Sequence, residues 1–302
     1  MLQDKIEILP VQLLNTERTL VEEMRQVGEE LHLGLGWHYL LDLPWAAQQI
    51  GPTPGMRVVD AGAGTGIIQW WLAGQGVDVI SVDRMSRRNL PIRFRQQYRT
   101  QGWRKQDLSL LPDAVLRGFL PPRSPRHWHL YPRKLALSLQ QWRWKPQADP
   151  SSGTVFIYNQ DLASIPDIPD NSADGVVSIS ALEHNSPDKL RDCVAELVRV
   201  LKPGGKLIAT LAAAKKQDWF HEPSKGWCYT EATLRDIFDL AADCPSNYDR
   251  YDELSEALRD CAELRDGLAD LYFESGNNGM PWGIWDPKYQ PVGVIKVKHY
   301  ER

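Results

Sequence analysis

Residues 58–66 read Val-Val-Asp-Ala-Gly-Ala-Gly-Thr-Gly. Two β-branched residues and Asp60 end a strand, and glycines alternate at Gly62, Gly64 and Gly66. The apolar run Ile67-Ile68-Gln69-Trp70-Trp71-Leu72 then starts a helix. A glycine turn between strand and helix lets the backbone approach a ligand closely and adopt φ > 0 where a Cβ would clash. In an open α/β sheet such a loop lies at the carboxyl end of its strand, where these sheets bind small molecules. The spacing narrows the ligand. The dinucleotide fingerprint Gly-x-Gly-x-x-Gly fails in both registers, because its third glycine would fall at Ile67 or Gln69. A P-loop fails as well, since no Lys-Ser or Lys-Thr pair follows. Asp60 would repel a pyrophosphate, yet it can hold an ammonium or the loop amides beside a phosphate-free zwitterion.

The resulting pattern, Asp-x-Gly-x-Gly-x-Gly, resembles the first motif of the class I S-adenosylmethionine-dependent methyltransferases. The resemblance continues along the chain. Val77 to Asp83 alternates as a strand and ends in Asp83, about 20 residues past the glycines, where a ribose-binding carboxylate is required. Thr154-Val155-Phe156-Ile157-Tyr158 reads as a third strand followed by Asn159-Gln160-Asp161-Leu162, and in the family the acidic residue here reaches the adenine amino group, which points to Asp161. Gly175 to Ser180 is the fourth strand, continuing into Ala181-Leu182-Glu183-His184. A helix with Leu190, Val194, Leu197 and Leu201 at three- and four-residue steps follows, stopped by Lys202-Pro203-Gly204-Gly205. Lys206 to Leu211 is a fifth strand, and Pro291 to Lys298 reads as the antiparallel seventh.

This resemblance implies an α/β fold with a Rossmann-like, seven-stranded, mostly parallel sheet in the order 3-2-1-4-5-7-6, strand 7 antiparallel, and helices on both faces. It implies S-adenosyl-L-methionine as cofactor, held by Asp60, Ala61, Gly62, Ala63, Gly64, Gly66, Asp83, Arg84, Asp161, Leu162 and Ser180. The reaction it implies is methyl transfer to a hydroxyl or amine of a small molecule, such as a sugar, a nucleotide-linked or a phosphorylated intermediate. Two histidines are candidate bases by position, His184 after the fourth strand and His221 in an aromatic loop. Trp37, Tyr39, Trp219 and Tyr229 are candidate acceptor contacts.

The chain has 302 residues, 42% of them hydrophobic, enough for one domain with additions to the catalytic core. The additions are a helical cap over 1–53, a basic insertion over 85–152 and an acidic helical insertion over 241–284. Residues 84–145 carry 15 Lys and Arg against Asp107 and Asp113, a net of +13, which leaves −17 on the rest of a chain at −4. Arginines interleaved with Trp103, Trp128, Trp142 and Trp144 suit an anionic small substrate, unless the insertion packs on the protein's own surface. Nucleic acid and an anionic membrane surface fit less well, because the chain is acidic overall. Leu254, Leu258, Cys261, Leu264, Leu268 and Leu271 form one stripe that could cover the acceptor site, support a homodimer or face the basic insertion.

No apolar stretch reaches the ~18 to 20 residues of a membrane span, and the N-terminus lacks a signal-peptide pattern, so a cytoplasmic protein is expected. Cys193, Cys228, Cys244 and Cys261 show neither zinc nor disulfide spacing, and no metal is expected. The rival readings are an RNA or protein methyltransferase and a non-catalytic methyltransferase-like scaffold. Against the first, Ser178-Ile179-Ser180-Ala181 lacks the Asn/Asp-Pro-Pro-Tyr/Phe signature of several amino-methylating families.

Overall fold

Runs of Val and Ile bury both faces of the central strands, as parallel sheets covered by helices require. The computed structural model describes residues 3–110, 119–120, 131–132, 135–136, 139, 148–267, 280 and 284–300. Its strands are β1 (Lys5–Ile8), β2 (Arg57–Ala61), β3 (Asp78–Asp83), β4 (Arg99–Gly102), β5 (Thr154–Asn159), β6 (Ala173–Ile179), β7 (Leu201–Ala213), β8 (Trp219–His221), β9 (Gly226–Tyr229) and β10 (Gln290–Val297). The described helices are α1 (Leu13–Thr16), α2 (Arg18–Glu30), α3 (Tyr39–Ile50), α4 (Ile68–Gly74), α5 (Ile92–Gln97), α6 (Pro187–Val200), α7 (Glu231–Ile237), α8 (Tyr251–Arg259) and α9 (Ala262–Asp266).

The sheet runs β1-β10-β7-β6-β2-β3-β5-β4, with β9 joining β7 and β8 pairing β9. Only β10 breaks the parallel direction of the main path, between β1 and β7. The class is the expected Rossmann-like α/β fold, but the order differs at both edges. The place expected for a sixth strand beside strand 7 is taken by β1, from the segment expected to be purely helical. Ile6 and Ile8 alternate into the core, and Asn247 closes the outer edge, its side chain accepting from Ile8 N at 2.7 Å and donating to Ile8 O at 3.0 Å. At the opposite edge β4, from the basic insertion, adds a parallel strand to β5.

Alternation along each strand feeds two cores. Val58, Val79 and Ile208 face α2, α3 and α4, whereas Val59, Ile80 and Leu207 face α6 and α7. Helix α3 lies flush on the sheet because β10 carries a glycine beneath it. A Cβ on Gly293 would stand 2.3 Å from the Trp45 indole. Gly293→Ala should therefore cost about 1–3 kcal/mol through overpacking, read as a lower urea midpoint at unchanged slope.

Several local expectations are corrected. The Lys202-Pro203-Gly204-Gly205 turn lies inside β7, as an irregular start tied to the sheet end by Gly204 N donating to Lys298 O and Lys298 N to Gly205 O, at 2.7 and 2.9 Å. The aromatic loop is a hairpin, β8–β9. The acidic stripe divides into α8 and α9 at Asp260–Cys261, while Leu268 and Leu271 lie outside the described residues. Helix α9 faces α2, since Arg18 forks onto Glu263 at 2.7 and 2.8 Å. No described helix is long and apolar enough to cross a membrane.

In the basic insertion, four arginines bond to the protein itself. Arg87 is buried beneath the glycine loop. Arg93 donates to Leu31 O at 2.8 Å and Arg99 to Ser152 O at 3.1 Å. Arg104 grips Asp107 and Asn159 O and lies 4.7 Å from the Tyr158 ring centroid. Trp103 stands edge-on to Phe156. Trp128, Trp142 and Trp144 lie outside the described residues. These four arginines serve the fold's own carbonyls and carboxylates.

Candidate cofactor and acceptor site

The strand ends of β2, β3 and β6 converge on one cleft because a parallel sheet presents all its carboxyl ends to the same side. Three connected lobes open there. The first, about 370 Å³, is walled by the glycine loop, Asp60, Asp83, Met85, Tyr39, Ser180 and His184. A second of about 290 Å³ adds Arg84, Asp161, Leu162 and Asn185. The third, about 360 Å³, is bordered by His38, Tyr39, Ser180, Glu183, His184, Ser224 and Tyr289. His184 borders all three.

The loop geometry follows from its glycines. Gly62 and Gly64 sit at φ +77° and +47°, and a Cβ on Gly62 would meet the Ala181 Cβ at 2.4 Å. The left-handed turn aims Gly64 N at Asp83 Oδ2, 2.8 Å away, while Met85 N donates to Asp83 Oδ1 at 2.7 Å. Each oxygen of Asp83 is thus fixed by one amide and keeps a lone pair toward the cavity.

Beneath the loop lies a polar network that the sequence did not announce. The buried Arg87 guanidinium donates to Gly64 O at 3.2 Å, Ser81 O at 2.6 Å and Tyr158 O at 3.0 Å, and also to Ser81 Oγ. Ser81 Oγ donates to Gln69 Oε1 at 2.6 Å, and Gln69 Nε2 donates to Ala63 O and Gly66 O at 3.2 and 3.0 Å. Holding three loop carbonyls downward keeps the loop's face toward the cavity free for a ligand. Arg87 belongs to the basic segment that suits either an anionic substrate or packing on the protein's own surface; the fold takes the second course and turns it under the loop.

The electrostatics are unusual for carboxylates. Asp60 is buried, its Oδ2 has no partner, and burial pushes its pKa up to about 7, with Arg87 opposing and Asp83 adding to the rise. Glu183 in the third lobe behaves alike. Burial raises it to about 7, His184 and His38 oppose, Asp42 adds, and its Oε2 also lacks a partner. Burial likewise lowers the Arg87 pKa, against the attraction of Asp83, Asp60 and Asp107.

The remaining expected residues fall as follows. Ala61 lies at the end of β2, where its carbonyl accepts from Ser178 Oγ at 2.8 Å. Ala63 and Gly66 are in the loop wall, and Arg84 and Leu162 are in the second lobe. Asp161 reaches that lobe with its oxygens already engaged, Oδ1 by Ala163 N at 3.0 Å and Oδ2 by Lys189 at 2.9 Å. His184 Nδ1 faces Lys225 O at 3.0 Å, which makes it the donor there and leaves Nε2 as acceptor. His221 does not border these lobes: it is buried, its Nδ1 is 2.7 Å from Ser224 Oγ, and burial lowers its pKa. Of the aromatic candidates Tyr39 alone borders the cleft. Trp37 packs in the core against Trp285 and Tyr289, Trp219 packs edge-on to His221, and Tyr229 is buried with its hydroxyl on Asn185 O. Large aromatics near a cleft go to core packing when apolar neighbours surround them. His38 stands with Trp37 and Tyr39 in the segment that the resemblance places over the cofactor; the residue missed from sequence is Asp42, whose i, i+4 spacing to His38 on one helix face is the signal that could have found it. Among the described residues no cluster suited to a metal ion occurs.

Comparison with known proteins gives the following. Residues 135–209 match the family model described as methyltransferase domain, a stretch that spans β5 to β7 and does not include the glycine loop. No curated protein sequence matches the chain. Solved structures that resemble it include the [4+2]-cyclase SpnF, at 16% identity over 99% of this chain and 100% of that one, with a TM-score of 0.47. The 1,6-didemethyltoxoflavin-N1-methyltransferase of Burkholderia thailandensis, with 1,6-didemethyltoxoflavin and S-adenosylhomocysteine bound, shows 13% identity over 96% and 85%, at 0.41. A SAM-dependent methyltransferase from Aquifex aeolicus shows 16% identity over 92% and 98%, at 0.38.

Proposed function

We propose that this chain, which carries a methyltransferase domain of the class I, Rossmann-like kind, transfers a methyl group from S-adenosyl-L-methionine to an amine or hydroxyl of a small molecule. One observation carries the reading. A single cavity holds Asp83, clamped by two amides with free lone pairs, and Asp60, buried and unpartnered. The cofactor has a vicinal diol, an ammonium and a sulfonium, and no phosphate. Asp83 is suited to the diol, the amide-lined glycine loop to close backbone contact, and Asp60 to the cationic end. The second lobe, with Leu162 and Asp161, is suited to adenine. When bound, the cofactor supplies a methyl carbon made electrophilic by the sulfonium. The protein's part is to orient the acceptor against that carbon and exclude water.

The third lobe is where the acceptor enters. Among the described residues no Lys or Arg borders it, whereas the Glu183 carboxyl, whose Oε2 has no partner, does. That supports a neutral or cationic acceptor over the phosphorylated one suggested by the basic insertion, and Glu183 is suited to receive an N–H or O–H.

Asp60 makes cofactor affinity depend on pH. A cationic partner binds only the ionised carboxylate, so affinity should fall as pH drops below about 7, approaching tenfold per unit. Calorimetry between pH 8 and about 5.5 should show this, with proton release on binding near neutrality, and Asp60→Asn should flatten the dependence. In the free protein the sign is opposite. A raised folded pKa favours the fold at low pH, and that contribution is lost as pH rises through about 7.

Function itself is tested by incubating the protein with methyl-labelled S-adenosylmethionine and fractionated cell extract. Label is expected in the small-molecule fraction. Label in RNA or protein would support the macromolecular reading instead, and binding without transfer would leave a non-catalytic scaffold.

A further inference from the structure

We propose that His38 is the general base that takes the acceptor's proton and that Asp42 is its positioning residue, a role that rests on the methyl-transfer reading above. His38 directly precedes α3 and Asp42 lies one turn on, so both side chains share a face. His38 Nδ1 is 2.8 Å from Asp42 Oδ2, and the same oxygen accepts from Ser180 Oγ at 2.9 Å. Asp42 is fully buried. Ser180, at φ +45°, is held there by its amide, which reaches both Thr210 O and Thr210 Oγ1 at 3.1 Å. A non-glycine residue in this conformation persists only where surrounding bonds enforce it. Ser180 and Tyr39 border both the cofactor lobe and the third lobe, which places the dyad at the seam between donor and acceptor.

The chemistry follows from the arrangement. A carboxylate on Nδ1 fixes the Nδ1–H tautomer, leaves the Nε2 lone pair as the acceptor and stabilises the imidazolium once formed. Nε2 makes no hydrogen bond among the described residues, and His38 borders the third lobe. Groups facing the imidazole are Asp42 and Tyr39 from its own segment, Ser180, Glu183 and His184 from the end of β6 and the turn after it, and Tyr289 from the residue before β10. His184 is less well placed, since it is exposed and its Nδ1 meets a backbone carbonyl rather than a carboxylate. In the step, the proton passes from the acceptor's O–H or N–H to His38 Nε2. The electron pair so freed forms the bond to the methyl carbon, the pair of the broken carbon–sulfur bond stays on sulfur, and the imidazolium returns its proton to water.

Two measurements test this. Imidazole nitrogen NMR of the cofactor-bound protein should report His38 as the Nδ1–H tautomer when neutral, and Asp42→Asn should disturb that preference. An Nε2–H tautomer in the unaltered protein would overturn the proposal. The second measurement uses methyl-tritiated S-adenosylmethionine and the extract fraction that accepts label from the unaltered protein. His38→Asn should lower turnover by about 100-fold or more, within the range general bases contribute, with cofactor affinity kept within about twofold. Its residual rate should climb with pH where the unaltered enzyme levels off, and His38→Gln should behave alike. Asp42→Asn should lower kcat with KM little changed. Turnover of both His38 variants within about threefold of the original would reject His38 as base while leaving methyl transfer intact. Cofactor binding with no labelled fraction at all would sink the methyl-transfer reading, and this proposal with it.

Discussion

Asp83→Ala is expected to weaken S-adenosylmethionine binding by tenfold or more, approaching about 100-fold. The side chain does two things at once. Its oxygens are aimed by Gly64 N and Met85 N, so their remaining lone pairs are positioned for a diol before any ligand arrives. Two charge-assisted hydrogen bonds to a ligand are worth about 1.5–3 kcal/mol each, and even one lost in full gives roughly tenfold. The loop itself should survive, because the carbonyls beneath it are held by Arg87 and Gln69 rather than by Asp83. Removing a carboxylate close to Asp60 also relieves repulsion. Against this, the buried Arg87 loses its leading counter-charge, so some loss of thermal stability is expected beside the drop in affinity. Unchanged affinity by calorimetry would remove Asp83 from the ribose role.

Arg87→Met should be the most damaging change to the fold near the site. Its guanidinium is buried and binds Gly64 O, Ser81 O and Tyr158 O, close to the Asp60 and Asp83 carboxylates. Taking away one side of a buried charged network typically costs about 3–5 kcal/mol, because the partners stay buried without compensation. A loss near 10 °C in Tm is expected for a domain of this size, together with weaker cofactor binding as the loop carbonyls come free. Arg87→Lys should recover little, since one ammonium cannot reach carbonyls arranged around a planar fork. A Tm within about 2 °C of the original would show that Gln69 and Ser81 hold the loop without it.

These two positions mark the boundary of what the chain's sequence disclosed. Asp83 was visible as a candidate because the resemblance places an acidic residue at a fixed distance along the chain from the glycine turn, and both are set by one strand–loop–helix–strand unit. Arg87 was not, since its partners Tyr158 and Ser81 come from two different strands and only the assembled sheet brings their carbonyls together. Composition left it among arginines that could meet an anion or pack on the protein's own surface. His38 and Asp42 were in sight as an i, i+4 pair, but their importance depends on Ser180, distant in sequence and brought alongside by α3 packing on the sheet.

The sequence by itself determined the parallel core, the glycine loop between β2 and α4, and the ends of β2 and β3 that carry Asp60 and Asp83. Those are consequences of period-two burial and of glycine's access to positive φ, both of which act over a few residues. The tertiary structure alone decided that β1 completes the sheet edge, that Arg87, Arg93, Arg99 and Arg104 bond to the protein itself, and that Trp37 and Tyr229 belong to the core while His38 borders the third lobe. Each of those outcomes depends on which buried group finds a hydrogen-bond partner or an apolar neighbour across the fold, and that competition has no signature along the chain.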